Sequence, residues 1–296
     1  MFYDKESDFE DDLVAVLKRH GWTDGVLEYP TEQDLISNWA NILFDNNKGI
    51  DRLNGQRLTK GEMAQILEQI ETLRTPLALN SFINGKTVSI KRDNPRDEAH
   101  YGKEISLKIY DRQEIAAGQS RYQIARQPIY PAKNKMLNDR RGDVCLLING
   151  MPVIHIELKK SGIPISQATN QIAKYAHEGV FTGLFRLVQV FVAMNPDDAV
   201  YFANPGEGDF NDDYFFHWAD YNNEPTAANK HVGQDEWKRF ASDLLSIPMA
   251  HQLIGFYTVA DSADGCLKVL RSYQYQAVNA ISDRVRTCKW DEPVPS

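Results

Sequence analysis

Three polar residues accompany two apolar stretches in the middle of the chain, and their types suit metal-assisted hydrolysis. Asp143 precedes the apolar run 144–148, and Glu157 and Lys159 alternate with apolar residues in the next run, 153–159. Residues two apart in a β-strand share a face, so Glu157 and Lys159 point together, away from the core. Glu157 and Asp143 could hold a hard divalent cation while Lys159 contacts an attacking water. An ordinary hairpin with a surface Glu–Lys pair is the alternative interpretation.

The two runs are joined at Asn149-Gly150, the strongest short sequence signal for a β-hairpin. A two-residue type I′ turn at this dipeptide would put Asp143 and Glu157 on opposite faces of the sheet, where one cation could not reach both. A three-residue loop over residues 148–150, ending in a left-handed glycine that forms a G1 bulge, places Asp143 opposite His155 and diagonal to Glu157. A shared metal site therefore predicts the three-residue loop.

The elements around this hairpin follow an α/β pattern with a mixed sheet. Helical periodicity predicts helices over residues 5–20, 31–43, 60–73, 167–177, 235–245 and 273–285. Apolar or alternating stretches predict strands over residues 87–91, 106–110, 122–129, 144–148, 153–158, 186–194, 200–203 and 267–270. The helix over 167–177 begins about one turn after the Glu157 strand and carries Gln171 and Tyr175 on one face. A plain half-exposed helix face is the alternative explanation for these two residues.

Composition and charge narrow the class of protein. The chain has 296 residues, of which 42% are hydrophobic and 25% charged, and its net charge is −8. This charge excludes a protein that coats nucleic acid by bulk attraction, but it allows a nuclease with a local basic groove. The absence of a long apolar run or a secretory signal, and three scattered cysteines, predict a reducing, cytoplasmic setting without a membrane partner.

The acid–hairpin–acid–lysine arrangement, followed by the Gln171 and Tyr175 helix, resembles the PD-D/ExK nuclease superfamily, in the branch that carries a Gln-x-x-x-Tyr helix. Gly142 stands where a proline usually precedes the first acid. The resemblance is closer to one family: the run 141–160, RGDVCLLINGMPVIHIELKK, resembles the nuclease domain of the R subunit of type I restriction enzymes. Segments 6–22, 170–175, 188–195 and 201–204 resemble the same domain, so the likeness covers nearly the whole chain.

This resemblance implies a restriction-endonuclease-like α/β fold and Mg²⁺-dependent hydrolysis of double-stranded DNA, with Mn²⁺ as a possible substitute. The metal is expected on Asp143, Glu157 and the carbonyl oxygen of Leu158, with Lys159 orienting the water. Gln171 and Tyr175 would position this centre or the DNA backbone, and Glu10 from the first helix would add a further carboxylate. The DNA-binding residues are predicted in the densest basic cluster of the chain, which a solvated loop would also explain: Lys133, Lys135, Arg140, Arg141 and Lys160.

The C-terminal segment 270–278, LRSYQYQAV, resembles the Q-motif that precedes the phosphate-binding loop of superfamily 2 motors. By this resemblance Gln274 and Arg271 would bind the adenine of ATP, in the full-length subunit only, because no phosphate-binding loop occurs in the sequence. The expected domains are a nuclease over 1–258, with a helical part at about 5–80, a catalytic core at about 85–204 and a helical excursion over 205–258, then a linker and motor start over 259–296. A terminal amphipathic helix with two glutamines is the alternative.

The family also implies partners, namely the modification and specificity subunits of a type I complex. Two other functions fit the same residues. One is a non-catalytic module that clamps DNA or docks the motor, and the other is a stand-alone nuclease of the superfamily. Metal titration separates the first from a nuclease, because only a nuclease needs Asp143 and Glu157 to bind a divalent cation.

Overall fold

The computed structural model describes residues 1–114, 120–131, 139–206, 210–228, 235–261, 263 and 265–288. The α-helices are α1 (Glu6–Arg19), α2 (Glu32–Asn47), α3 (Lys60–Thr72), α4 (Pro76–Asn84), α5 (Ile165–His177), α6 (Glu236–Leu244), α7 (Met249–Phe256) and α8 (Ser272–Thr287). The strands are β1 (Val26–Glu28), β2 (Thr87–Lys91), β3 (Glu104–Lys108), β4 (Tyr122–Arg126), β5 (Ile129–Tyr130), β6 (Arg140–Arg141), β7 (Val144–Ile148), β8 (Met151–Leu158), β9 (Val190–Met194), β10 (Ala199–Ala203), β11 (Thr258–Ala260) and β12 (Leu267–Val269).

A six-stranded mixed sheet with the order β1-β4-β7-β8-β9-β10 forms the centre of the fold. Strand β1 is parallel to β4 and β8 is parallel to β9, while the other neighbours are antiparallel. Helices flank this sheet, with α5 packed on β8 and β9 and α1 in contact with β8 and α6. The predicted restriction-endonuclease-like α/β fold with a mixed, helix-flanked sheet is therefore confirmed.

Strands β7 and β8 lie in the middle of the sheet, and each of their residues is buried. Their near-continuous apolar sequences suit strands that are covered on both faces. The exceptions are His155 and Glu157 in β8, which are fully buried although both side chains are polar. Because such burial is costly without partners, these two side chains need neighbours that satisfy them.

The hairpin between β7 and β8 has a different register from the predicted one. Asn149 (φ 52°) and Gly150 (φ 84°) form a two-residue turn, and Ile148 pairs with Met151 across it. Both central residues have the positive φ that a type I′ turn requires. The prediction of a three-residue loop was wrong, because the local preference of Asn-Gly for the shorter turn is satisfied.

A β-bulge in β8 puts Asp143 and Glu157 on the same face of the sheet, which a shared metal site requires. The register shifts between Leu146, which pairs with Ile154, and Leu147, which pairs with Pro152, so Val153 is the extra residue. Proline cannot donate a ladder hydrogen bond and is tolerated in sheets at bulges, which fits its place beside Val153. Beyond the bulge Val144 pairs with Ile156, and continuing this register sets Asp143 opposite Glu157 rather than opposite His155.

Other elements also depart from the sequence prediction. The stretch predicted as one strand over 186–194 contains a 3₁₀ helix, Gly183–Leu187, before β9 begins at Val190. Residues after α3 form the short helix α4, whose N-cap is Thr75 and whose first residue is Pro76. Strand β1 lies between α1 and α2 and joins the central sheet, so the N-terminal helical part belongs to the same fold as that sheet.

The predicted domain boundaries stay a prediction, and the boundary at residue 258 falls where β11 begins and pairs with β12. Within the described ranges, no helix is both long and apolar enough to cross a membrane.

Candidate active site

The three residues expected to do chemistry lie together at the end of β8. A carboxylate oxygen of Asp143 (Oδ2) accepts a hydrogen bond of 2.7 Å from the Leu158 backbone amide. Lys159 Nζ donates to the Leu158 carbonyl oxygen at 2.7 Å and lies 3.5 Å from Glu157 Oε1. Asp143 is partly exposed, Glu157 is fully buried and Lys159 is nearly so. The bulged register therefore places the Asp143 carboxylate on the Leu158 amide, while Lys159 lies between the Leu158 carbonyl oxygen and Glu157.

Burial and mutual repulsion oppose ionisation of the two acids. The pKa of Asp143 lies well above its ordinary value, first because the carboxyl is removed from water and then because Glu157 is close. Burial likewise raises the pKa of Glu157 to about 7, although Lys159 acts in the opposite direction. Two neighbouring acids with raised pKa values are typical of a functional site, and a bound cation would offset their charge.

The donor atoms fit a hard divalent cation. Asp143 and Glu157 supply carboxylate oxygens and Leu158 supplies a carbonyl oxygen, which are the ligand types that Mg²⁺ prefers. Glu157 Oε2 is buried without a hydrogen bond, and the Lys159 ammonium already lies among these oxygens as a positive charge. In the described part of the chain, no group of three His, Cys, Asp or Glu side chains has the arrangement to hold a metal ion by itself. Water or phosphate would therefore complete the coordination, as is usual for Mg²⁺.

Gln171 and Tyr175 connect helix α5 to the strand that carries the first acid. Gln171 Nε2 donates to the Tyr175 hydroxyl at 2.8 Å, and that hydroxyl donates to the Arg141 carbonyl oxygen at 3.1 Å. Burial, followed by the charge of Glu157, raises the pKa of Tyr175 to about 12. The two helix residues therefore lie beside the acidic pair and contact the backbone two residues before Asp143, as their spacing predicts.

Helix α1 carries two acids, Glu6 and Glu10, and they have different neighbours. Glu10, the residue singled out from the sequence, is ion-paired with Arg126 and accepts a 3.0 Å hydrogen bond from Gln127 Nε2. Glu6, which the sequence analysis did not select, lies 3.7 Å from Lys159 Nζ and adds to the repulsion felt by the acidic pair. The sequence held one indication of this role: Glu6 lies four residues before Glu10, on the same helix face.

The predicted DNA-binding residues differ in their exposure and in whether their side chains are already bonded within the chain. The Arg140 guanidinium forms two hydrogen bonds with Glu178, of 2.7 and 2.8 Å. Arg141 is exposed and lies over the Tyr29 ring at 5.4 Å, and Lys160 is exposed beside Lys159. Lys133 and Lys135 lie outside the described residues.

The predicted adenine-contacting residues lie at the start of α8. The Gln274 side-chain oxygen accepts a 2.9 Å hydrogen bond from the Arg271 backbone amide, which closes the first turn of the helix. The Arg271 guanidinium lies 4.5 Å from the centre of the Phe216 ring. Both residues line a cavity of ≈ 790 Å³ whose wall includes Phe202 and Phe215. In the described part of the chain, that lining includes none of the predicted catalytic residues.

Comparison with known proteins agrees with the family that the sequence resembles. A family model described as the type I restriction enzyme R protein N terminus matches residues 6–210. The type I restriction enzyme SsaAORF53P endonuclease subunit of Staphylococcus saprophyticus is 30% identical over 286 residues, which are 95% of this chain and 27% of that protein. The SauCOLORF180P endonuclease subunit of Staphylococcus aureus is 27% identical over 281 residues, again 95% of this chain and 27% of the relative.

A relative from another genus gives a similar match. The type I restriction enzyme EcoprrI endonuclease subunit of Escherichia coli is 28% identical over 282 residues, covering 90% of this chain and 83% of that sequence. The chain spans about a quarter of the length of the two staphylococcal relatives.

Proposed function

The chain belongs to the type I restriction enzyme R protein N-terminus family, and we propose that it is the Mg²⁺-dependent DNA endonuclease domain of such an R subunit. The observation that carries the proposal is the meeting of Asp143, Glu157 and Lys159 at the end of β8. Asp143 accepts a hydrogen bond from the Leu158 amide, and Lys159 lies between the Leu158 carbonyl oxygen and Glu157. A fully buried Glu157 and a nearly buried Lys159, next to a second acid, are expensive to keep unless they serve a common task.

In this proposal Asp143, Glu157 and the Leu158 carbonyl oxygen hold the cation. When bound, Mg²⁺ polarises the scissile phosphate and lowers the pKa of a bound water. The Leu158 amide fixes the Asp143 carboxylate by its 2.7 Å hydrogen bond, so one acid is oriented before substrate arrives. The partial exposure of Asp143 leaves the site open on the side from which DNA would approach.

Lys159 is assigned the task of orienting the attacking water and offsetting negative charge that develops on phosphorus. Its ammonium is held by the Leu158 carbonyl and Glu157, so it is already aimed at the donor atoms. The same contacts mean that a divalent cation and the ammonium compete for these oxygens. We therefore expect Lys159 to be dispensable for metal binding although it is required for cleavage.

Gln171 and Tyr175 are assigned a positioning role. Their hydrogen-bond chain ends on the Arg141 carbonyl and so holds the backbone that leads into Asp143. Double-stranded DNA would approach over Arg141 and Lys160, whose side chains are exposed, while Arg140 is bonded to Glu178. These basic residues would contact phosphates, which position DNA without reading its sequence.

The activity of a whole R subunit is part of the proposal as well. We infer that cutting is coupled to ATP-driven translocation and depends on modification and specificity subunits, since the relatives are named as endonuclease subunits of type I restriction enzymes. Gln274 and Arg271 would then contact adenine, because both line the cavity at the start of α8.

The test compares single variants in the assembled type I enzyme and in the 296-residue chain. Asp143→Ala and Glu157→Ala should weaken Mn²⁺ binding by roughly 10-fold or more and reduce DNA cleavage by about 10³-fold, with ATPase activity unchanged. Lys159→Ala should lose cleavage equally but keep Mn²⁺ binding. Asp45→Ala, which removes an exposed acid on α2, is the matched control. Retained cutting by the Glu157 variant, or the absence of Mn²⁺ binding by the wild type, would favour the non-catalytic docking module.

A further inference from the structure

A buried tyrosine–histidine pair lies directly behind the two acids and takes no part in the chemistry assigned above. Tyr130 and His155 are both fully buried, and the Tyr130 hydroxyl lies 2.8 Å from His155 Nδ1. The other ring nitrogen, Nε2, lies 3.4 Å from Glu157 Oε2. In the described part of the chain, neither Nε2 nor that oxygen has a hydrogen-bond partner. A ring nitrogen and a carboxylate oxygen thus lie 3.4 Å apart, shielded from water, without the alignment of a hydrogen bond.

The direction of these contacts follows from the chemistry of a neutral imidazole, in which one nitrogen carries a hydrogen and the other accepts. A tyrosine hydroxyl that donates to Nδ1 leaves the hydrogen on Nε2, pointing at Glu157. The opposite tautomer would point the Nε2 lone pair at a carboxylate oxygen, which is repulsive. When Glu157 is ionised, as cation binding requires, the favoured tautomer is therefore the one that accepts from Tyr130 at Nδ1 and carries its hydrogen on Nε2.

The same pair of rings also restricts which residue can stand at position 142, directly before Asp143. A Cβ atom at Gly142 would lie 2.7 Å from Tyr130 Cε2 and 2.9 Å from His155 Cε1, both closer than real contacts allow. The two rings fill the space that any side chain at position 142 would need. The short ribbon of β5 and β6 sets Tyr130 opposite Arg140, three residues before Asp143. The pair therefore fills the space beside Gly142, and His155 also lies next to the Glu157 side chain.

We propose that Tyr130 and His155 are positioning residues that orient the Glu157 carboxylate, with His155 donating from Nε2 to Oε2 so that Oε1 is presented to the cation. The proposal rests on the function proposed above, because it concerns the same metal site. A small rotation of the carboxylate closes the 3.4 Å gap to a hydrogen bond. Partners of this kind, which bind the ligands rather than the metal, commonly set metal affinity.

The first measurement is Mn²⁺ binding to the 296-residue chain, by electron paramagnetic resonance of free Mn²⁺. His155→Leu should raise the dissociation constant by about 10-fold or more, and Tyr130→Phe, which removes a single oxygen atom, by several-fold. His155→Gln should recover part of the affinity, because its amide can still donate toward Glu157. The control is Phe181→Leu, which alters the ring packed at 5.3 Å on His155 without touching a polar atom, and it should stay within about twofold.

The second measurement is DNA cleavage by the assembled enzyme as a function of Mg²⁺ concentration. A positioning role predicts that the Tyr130 and His155 variants need more Mg²⁺ for half-maximal rate, with a smaller loss at saturating Mg²⁺. Wild-type Mn²⁺ affinity in Tyr130→Phe and His155→Leu would overturn the proposal, as would an equal loss in Phe181→Leu. If Glu157→Ala also kept wild-type affinity, the metal site itself would be wrong, which is a separate failure. If His155→Leu does not fold, Tyr130→Phe decides the question alone.

Discussion

Replacing Glu157 by glutamine is expected to stabilise the metal-free chain at pH 8. Glu157 is fully buried, and burial raises the pKa of its carboxyl to about 7 from an ordinary value of 4.5. Burial makes this carboxylate costly even with the Lys159 ammonium 3.5 Å from Oε1, whereas glutamine has the shape of the protonated acid and carries no charge. The variant should therefore gain stability at the same position where we expect it to lose metal binding and cleavage.

The sign and size of this stability difference follow from proton linkage. The unfolded chain releases the Glu157 proton near pH 4.5, while the folded chain keeps it until about pH 7. Rising pH thus favours the unfolded state across this window, and the wild type loses stability as pH increases from 4.5 to 7. A shift from 4.5 to about 7, at 1.36 kcal/mol per pH unit, corresponds to about 3 kcal/mol. The Glu157→Gln variant avoids this loss, so its advantage should be small at pH 4.5 and about 3 kcal/mol at pH 8.

Urea denaturation in EDTA at pH 4.5 and pH 8 measures the difference. Glu178→Gln is the control with the opposite sign, because the hydrogen bond from Arg140 lowers the pKa of Glu178. That variant should be less stable than the wild type at pH 8, and the difference should shrink mainly as the pH falls below 4.5. Saturating Mn²⁺ should stabilise the wild type but not Glu157→Gln. A Glu157→Gln chain that is less stable than the wild type at pH 8, or an advantage that does not grow with pH, would refute the reasoning.

Three further outcomes are expected. Gly150→Ala should destabilise the chain by more than about 1 kcal/mol in urea denaturation, because φ is +84° and a Cβ would lie 2.9 Å from Trp39 Cα. Gly162→Ala, at φ +78° with open space around it, should cost less, and equal costs would contradict the contact argument. The chain should bind ATP weakly in calorimetry, since Gln274 occurs without a phosphate-binding loop, and micromolar affinity would overturn that view. Tyr175→Phe should slow cleavage by roughly 10-fold while Mn²⁺ affinity stays within about threefold, and unchanged cleavage would remove its positioning role.

Local periodicity was enough to predict which side chains share a face. The two-residue repeat of a strand grouped Glu157 with Lys159, and the four-residue spacing of a helix grouped Gln171 with Tyr175. In the structure Glu157 and Lys159 lie close enough to change the pKa of Asp143, and Gln171 and Tyr175 form a hydrogen-bond chain to the Arg141 carbonyl. Such predictions succeed because the direction of a side chain depends on the backbone within a few residues.

The hairpin register could not be settled in the same way. The turn at Asn149-Gly150 follows its local preference, but the bulge at Val153 then changes which residues face each other. Pro152 was a local hint of a bulge, since proline suits such positions in a central strand. Whether the ladder shifts depends on the packing of β8 between β7 and β9, so it is decided by the whole sheet.

The sequence by itself thus determined the α/β class, the family and the chemical identity of the acidic pair and its lysine. Only the tertiary structure decided that Asp143 faces Glu157, that Glu6 rather than Glu10 lies at Lys159, and that Tyr130 lies against His155. The physical reason is sequence separation: Tyr130 and His155 are 25 residues apart, on different sheets, and Glu6 is far from Lys159 along the chain. Contacts of this kind are selected by the packing of complete elements against one another, which local residue preferences do not specify.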